Sequence, residues 1–171
     1  MSLKDLMTMA KPATELRLKA LRKVWKDKPL NCLQCMRCTS GCTSLKLLEL
    51  KPHEIVDLVR FGLVEELLVS DTIWACSTCL KCKERCPQKA SPYDLIMSMR
   101  NLAVEREAKV PEYYMKAVGQ ILETGLVQGI QKITTRKMHT LDRDTLELPK
   151  IAYPNDKFKE AFMKALGGGQ E

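Results

Sequence analysis

The sequence predicts a mainly α-helical chain whose cysteines sit in loops between helices. Three observations predict this class. Apolar residues recur at helical spacing in several separate stretches, most of them opened by proline, serine, asparagine or aspartate. No stretch alternates apolar and polar residues as a strand would. The eight cysteines form two runs of C-x2-C-x2-C-x3-C, and each cysteine of the first has a counterpart 44 residues later.

Composition sets the limits. The 171 residues are 45% apolar and 29% charged, which excludes wholesale disorder and suits one compact domain with extensions. No stretch approaches the roughly 18 apolar residues of a spanning helix. Met1 to Ala10 carries Lys4 and Asp5 and lacks a secretory apolar core, so a cytoplasmic location is expected. The net charge of +7 invites a nucleic-acid reading, but the basic residues are interleaved with acids and no aromatic platform accompanies them. The one dense basic stretch is Lys19, Arg22, Lys23, Lys26 and Lys28. Two thiolate-held clusters of about −2 each would bring the total to roughly +3.

In chain order, Pro12 opens a helix to about Trp25, striped by Leu16, Leu21, Val24 and Trp25. The first run, Cys32, Cys35, Cys38 and Cys42, follows. The 33-residue spacer to the second run reads as helical. Pro52 takes a first helical position with Glu54 in the first turn, and Ile55, Val56, Leu58, Val59 and Leu63 recur behind it. Gly62 ends or bends that helix, and Val64 to Val69 makes another turn.

The second run is Cys76, Cys79, Cys82 and Cys86, followed by Pro87. A disulfide scaffold would need an oxidising compartment and a higher cysteine density. Zinc takes two cysteine pairs around a long loop. Three cysteines at two-residue gaps, then a fourth and a proline, fit a 4Fe–4S cluster better, with the fourth cysteine crossing to the other cluster. Cluster one is then held by Cys32, Cys35, Cys38 and Cys86, and cluster two by Cys76, Cys79, Cys82 and Cys42. Every iron has a cysteine, so the sites suit electron transfer and no catalytic residue is assigned. Cys42 is followed by Thr43 where the pattern has proline, and Thr43 reads as the N-cap of a following helix. Lys81, Lys83, Arg85 and Lys89 make the second loop the more basic, against Arg37 in the first. They either raise the potential of cluster two or are screened surface charges. Ile73 and Trp74 are expected to shield the cluster or simply to pack in the core.

Ser91-Pro92-Tyr93-Asp94 reads as a capping box opening a helix to about Ala108, striped by Leu95, Ile96, Met99, Leu102 and Ala103. Pro111 starts another, with Met115, Val118, Ile121 and Leu122 on one face. From Gly129 the pattern fades, and Pro149 and Pro154 point to an extended arm. Asn155 or Asp156 caps a two-turn stripe of Phe158, Ala161, Phe162, Ala165 and Leu166, ended by Gly167 to Gly169. That helix either docks on another subunit or folds back on its own domain. His53 and His139 are assigned structural or surface roles, and the nine methionines core filling. The organisation read is residues 1–29 as an N-terminal helical segment, 30–110 as a two-cluster domain, and 111–171 as a C-terminal helix and docking arm.

The two cysteine runs, the helical spacer, Asp71-Thr72-Ile73-Trp74-Ala75-Cys76-Ser77-Thr78-Cys79, Cys86-Pro87 and Met99-Arg100-Asn101-Leu102-Ala103 together resemble the C-type iron–sulfur subunits of heterodisulfide reductase, over about residues 30–107. The resemblance implies an α-helical ferredoxin fold with two 4Fe–4S clusters in a small subunit of a cytoplasmic hetero-oligomer. It further implies electron relay between a flavin and iron–sulfur subunit (A type) and a catalytic subunit with CCG motifs (B type). This chain has no Cys-Cys-Gly sequence, so it would be a relay and not the site of disulfide chemistry. Two other functions fit the residues. One is an iron–sulfur subunit of a succinate, glycolate or glycerol-phosphate dehydrogenase-type enzyme. The other is a free redox-sensing module whose basic N-terminal helix touches nucleic acid.

Overall fold

A computed structural model describes residues 11–24, 29–108 and 110–167. Trp25, Lys26, Lys28, the residues before Lys11 and the glycines after Gly167 lie outside the described residues. The chain divides into two compact units, Met1–Lys109 and Val110–Glu171.

The first unit is built from α1 (Thr14–Arg22), α2 (Arg37–Ser40), α3 (Pro52–Arg60), α4 (Val64–Val69), α5 (Lys81–Glu84) and α6 (Pro92–Glu105). Single 3-10 turns at Pro29–Asn31 and Asp71–Ile73 join them. α6 is the centre, and α1, α3, α4 and α5 all pack on it. Its Leu95, Ile96, Met99, Leu102 and Ala103 are buried, as are Ile55, Val56, Leu58 and Val59 of α3. Each such Leu, Ile, Val or Met contributes about 1.5–3 kcal/mol by leaving water.

Local chemistry sets the boundaries. Pro52 and Pro92 occupy first helical positions, where the missing N–H costs nothing. The Lys51 N–H donates to Glu54 Oε2 at 2.6 Å, and the Asp94 N–H donates to the Ser91 hydroxyl at 3.4 Å. Gly62 adopts φ +81°, which lets the Leu63 N–H reach back to the Leu58 carbonyl at 2.8 Å and stops α3. The Gly62 carbonyl then accepts from the Ala13 N–H at 2.8 Å. α1 ends at Arg22 and is tied to α6 by the Ser98 hydroxyl on the Ala20 carbonyl at 2.8 Å. α6 stops three residues short of Ala108, because Glu107 turns to φ +54° and the Ala108 N–H bonds back to the Ala103 carbonyl.

The second unit holds α7 (Glu112–Thr124), β1 (Ile133–Thr134), β2 (Thr140–Leu141) and α8 (Asp156–Gly167). The strands pair antiparallel, Ile133 opposite Leu141 and Thr134 opposite Thr140. The sequence predicts no strand at all. A two-residue strand is too short for alternation to show. Asn155 is the cap of α8, its side-chain oxygen accepting from the Phe158 N–H at 2.8 Å. The helix spans 12 residues, longer than two turns. None of the residues 110–166 is buried. Among the described residues no helix is long and apolar enough to cross a membrane.

Candidate metal centres

The two cysteine runs fold as copies of one loop. In the first, Gln34 and Met36 flank Cys35 with φ of +53° and +62°. In the second, Thr78 and Leu80 flank Cys79 with φ of +53° and +63°. These left-handed residues alternate with ordinary ones, which turns successive amides toward the inside of the loop, as anion-binding nests do. For the β-branched Thr78 that conformation costs energy and persists only where the surroundings hold it. One helical turn follows each loop, α2 from Arg37 and α5 from Lys81. Burial repeats as well. Cys35 and Cys79 are exposed, Cys38 and Cys82 are each only 9% exposed, and the remaining four cysteines are intermediate.

Each loop closes on a cavity. The first is lined by Cys32, Cys35 and Cys38 of one run and Cys86 of the other, with Leu33, Met36, His53, Pro87 and Pro92 among the walls. The second is lined by Cys76, Cys79 and Cys82 with Cys42, walled by Leu48, Pro52, Leu80, Tyr93 and Ile96. Among the described residues no three His, Cys, Asp or Glu side chains converge tightly enough for a single metal ion. Four thiols around an apolar hollow with amides turned inward fit a cubane cluster, whose sulfides take hydrogen bonds and whose irons take thiolates.

The thiols differ in acidity. Burial pushes Cys32, Cys38 and Cys42 up, and drives Cys82 up to about 12. Cys79 goes the other way, lowered to about 7 by the Thr43 hydroxyl first and the Lys81 N–H next. The Thr43 and Ser77 hydroxyls lie 2.7 Å apart, joining the chain after Cys42 to the chain after Cys76. Around the first cavity, Gln34 Nε2 donates to the Cys32 sulfur at 3.4 Å and to the His53 carbonyl at 3.2 Å. The Ala90 N–H donates to the Cys86 sulfur at 3.2 Å.

Two arginines fix the loops from behind. Arg60 donates to the Cys32 carbonyl at 3.2 Å. The buried Arg100 of α6 donates to the carbonyls of Ile73, Trp74 and Cys76 at 2.8, 3.1 and 2.7 Å, with its guanidinium 5.5 Å from the Trp74 ring centre. Between the loops, the Arg85 guanidinium covers Gly41, so that a Cβ there would lie 2.0 Å from Nη1. Gly41 and Arg85 are themselves counterparts 44 residues apart.

One expectation needs correcting. Thr43 is not a helix N-cap. Residues 43–47 form a turn, the next helix starts only at Pro52, and the Thr43 hydroxyl serves Ser77 and Cys79 instead. Of the two roles expected for Ile73 and Trp74, packing in the core is the one seen: both are buried, and the 3-10 turn before Trp74 packs on α6, while neither lines the second cavity. His53 takes a structural position, as expected of it. It lines the first cavity, with Nδ1 2.6 Å from the Thr39 hydroxyl beside Cys38. Of the basic second-loop residues, Lys83 pairs with Asp94 at 2.7 Å, while Lys81, Arg85 and Lys89 are exposed. The sequence reasoning missed Thr43 and Ser77 as a pair. Superposing the two runs at their 44-residue offset would have shown both positions changing together.

Known proteins place this arrangement. Residues 11–90, which include all eight cysteines, match the 4Fe-4S dicluster domain family. Over 95 residues the chain is 35% identical to the C-type subunit of the H(2):CoB-CoM heterodisulfide,ferredoxin reductase of Methanothermobacter marburgensis, covering 55% of this chain and 50% of that protein. Over 94 residues it is 34% identical to the C-type iron-sulfur subunit of the CoB--CoM heterodisulfide reductase of Methanopyrus kandleri, covering 55% and 48%. These matches span about half the length of either relative. A longer match, 31% identical over 151 residues, covers 87% of this chain and 89% of the C-type subunit of the Ferredoxin:CoB-CoM heterodisulfide reductase of Methanosarcina mazei. With eight cysteines around two cavities and a relative aligned along nearly its whole length, the chain belongs to the family of heterodisulfide reductase C-type subunits and binds two 4Fe–4S clusters.

Proposed function

We propose that this chain is the electron-relay subunit of a cytoplasmic heterodisulfide reductase-type complex, folded as an α-helical ferredoxin over residues 30–110. Cys32, Cys35, Cys38 and Cys86 hold cluster one, and Cys76, Cys79, Cys82 and Cys42 hold cluster two. The observation that carries the reading is the make-up of the cavities, each lined by three cysteines of one run and the fourth of the other. Bound 4Fe–4S clusters supply one-electron storage and transfer. The protein's residues supply everything else. The loop amides and hydroxyls hold the sulfurs, the apolar walls limit water, and Arg60 and Arg100 lock the loop backbones. With four cysteines at each cavity no iron position is open to substrate, so disulfide chemistry belongs to another subunit. The partners are a flavin and iron–sulfur subunit (A type) and a subunit with CCG motifs (B type). The unburied apolar stripe of α8, where Phe158 and Phe162 stack at 5.6 Å, supports a role in docking on one of them.

Serine replacement tests the ligand sets. Cys42→Ser should alter the same cluster spectrum as Cys76→Ser and leave that of Cys32→Ser untouched. If Cys42→Ser and Cys32→Ser alter one and the same cluster, the crossed assignment is wrong. Anaerobic purification of the chain from its own cells tests the partners. Recovery with a flavoprotein and a CCG-motif protein is expected, and recovery with an unrelated dehydrogenase would overturn the assignment.

A further inference from the structure

The two loops are copies, so their differences are informative. The position before the fourth cysteine is Gly41 in the first run and Arg85 in the second. Both residues cap the C-terminal ends of matching single-turn helices, α2 and α5, which pack against each other. The backbone gives no reason for a glycine. Gly41 has φ −103° and ψ 5°, close to the φ −83° and ψ −6° of Arg85, and a negative φ is open to residues with a side chain. The reason is space. A Cβ at Gly41 would lie 2.7 Å from Arg85 Cζ and 3.2 Å from its Nε, so the guanidinium occupies the volume that a side chain at 41 would take. Gly41 is the seat of Arg85.

That seat sets one charge beside both runs' fourth cysteines. The Arg85 side chain is rooted beside Cys86, which lines the first cavity, and ends on the neighbour of Cys42, which lines the second. Its charge is also uncommitted. Arg60 and Arg100 donate to loop carbonyls, whereas no hydrogen bond or ion pair joins the Arg85 guanidinium to another residue among those described. Of the other cations on this loop, Lys83 pairs with Asp94, and neither Lys81 nor Lys89 reaches across to the first run's glycine.

We infer that Arg85, seated on Gly41, is an electrostatic element shared by the two clusters and raises both of their reduction potentials. The inference rests on the ligand sets proposed above. Reduction adds one negative charge to a site already negative, and a nearby cation favours the more negative state. A cation lying between the loops acts on both sites and offsets the repulsion that a first electron exerts on a second. The Debye length is about 10 Å at 0.1 M salt, so a charge held this close to the ligands is only partly screened.

The test is an EPR-monitored redox titration of the full-length holoprotein, with Cys35→Ser and Cys79→Ser identifying each cluster's signal. Arg85→Ala should lower both midpoints, and Arg85→Lys, which keeps the charge, should restore most of the shift. Gly41→Ala keeps the arginine but pushes its guanidinium, the far end of a flexible side chain, off the seat. It should lower the midpoint of the Cys76-loop cluster, which Cys42 completes, and should shift nothing further when Arg85 is already alanine. Unchanged midpoints in Arg85→Ala, or a shift confined to one cluster, would overturn the shared role. A further shift from Gly41→Ala in the Arg85→Ala background would overturn the seat. Loss of iron from both Arg85→Ala and Arg85→Lys would also overturn the inference, since the side chain would then hold the loops together and not tune the clusters. An error in the ligand sets shows separately, in the Cys42→Ser spectrum.

Discussion

Cys79 and Cys82 lie three residues apart and face opposite conditions. Cys79 is exposed and hydrogen-bonded, with its thiol lowered to about 7. Cys82 is buried and pushed up to about 12. In the reduced, iron-free chain, iodoacetamide should therefore label Cys79 first. Its rate should rise through pH 7 toward a plateau, because the thiolate is the reactive form and is populated above its pKa. Cys82 should stay unlabelled at neutral pH, and peptide mass spectrometry over a pH series checks both. Arg100 is the second residue with a defined task. Arg100→Met would strip donors from the carbonyls of Ile73, Trp74 and Cys76, which should cost about 2–4 kcal/mol of stability. Thermal melting of the holoprotein reads that loss, and Arg100→Lys should recover only part of it, since an ammonium lacks the planar fork. At this scale the cysteines were legible because their spacing is their chemistry. The partners of Thr43 and His53 were not, because Ser77 and Thr39 are brought to them by loop closure across the repeat and across the spacer.

Helix boundaries follow from a few residues with fixed conformational tasks. Pro52, Gly62, Ser91 and Pro92 were readable as stops and starts, and the helices sit where those residues put them. Gly62→Ala should lower stability by about 1 kcal/mol, because alanine resists the φ of +81° that ends α3. A modest fall in melting temperature with unchanged visible absorbance is the expected result. Ser91→Ala should cost about 1 kcal/mol through the lost cap, measured the same way. The short elements were less legible. α2 and α5 are single turns of four residues whose conformation is imposed by the loops before them, and no periodicity can announce them. The hairpin of β1 and β2 is hidden for the same reason of length.

The first unit contains all eight cysteines, both cavities and every buried residue of the described chain. A chain ending at Ala108 should therefore fold and hold about eight iron atoms, the content of two 4Fe–4S clusters, by iron and sulfide analysis. Deleting residues from Asn155 onward should leave that iron content intact and weaken assembly with partner subunits. Unchanged co-purification would refute the docking role of α8. The overall class was legible from period and punctuation, and the repeated run pointed to the mixed lining of the two cavities. How residues 110–167 fold was legible only as helix, arm and helix, because a segment with no buried side chain leaves little apolar patterning to read. The exchange has one more consequence. With each cavity completed by the opposite run, the two halves stand to each other as the protomers of a domain-swapped dimer joined by a linker. A half-chain bearing one run would lack the fourth cysteine that lines its cavity and could complete it only against a second copy. The chain thus carries, fused in tandem, the two-fold partnership that a single loop would have to find by self-association.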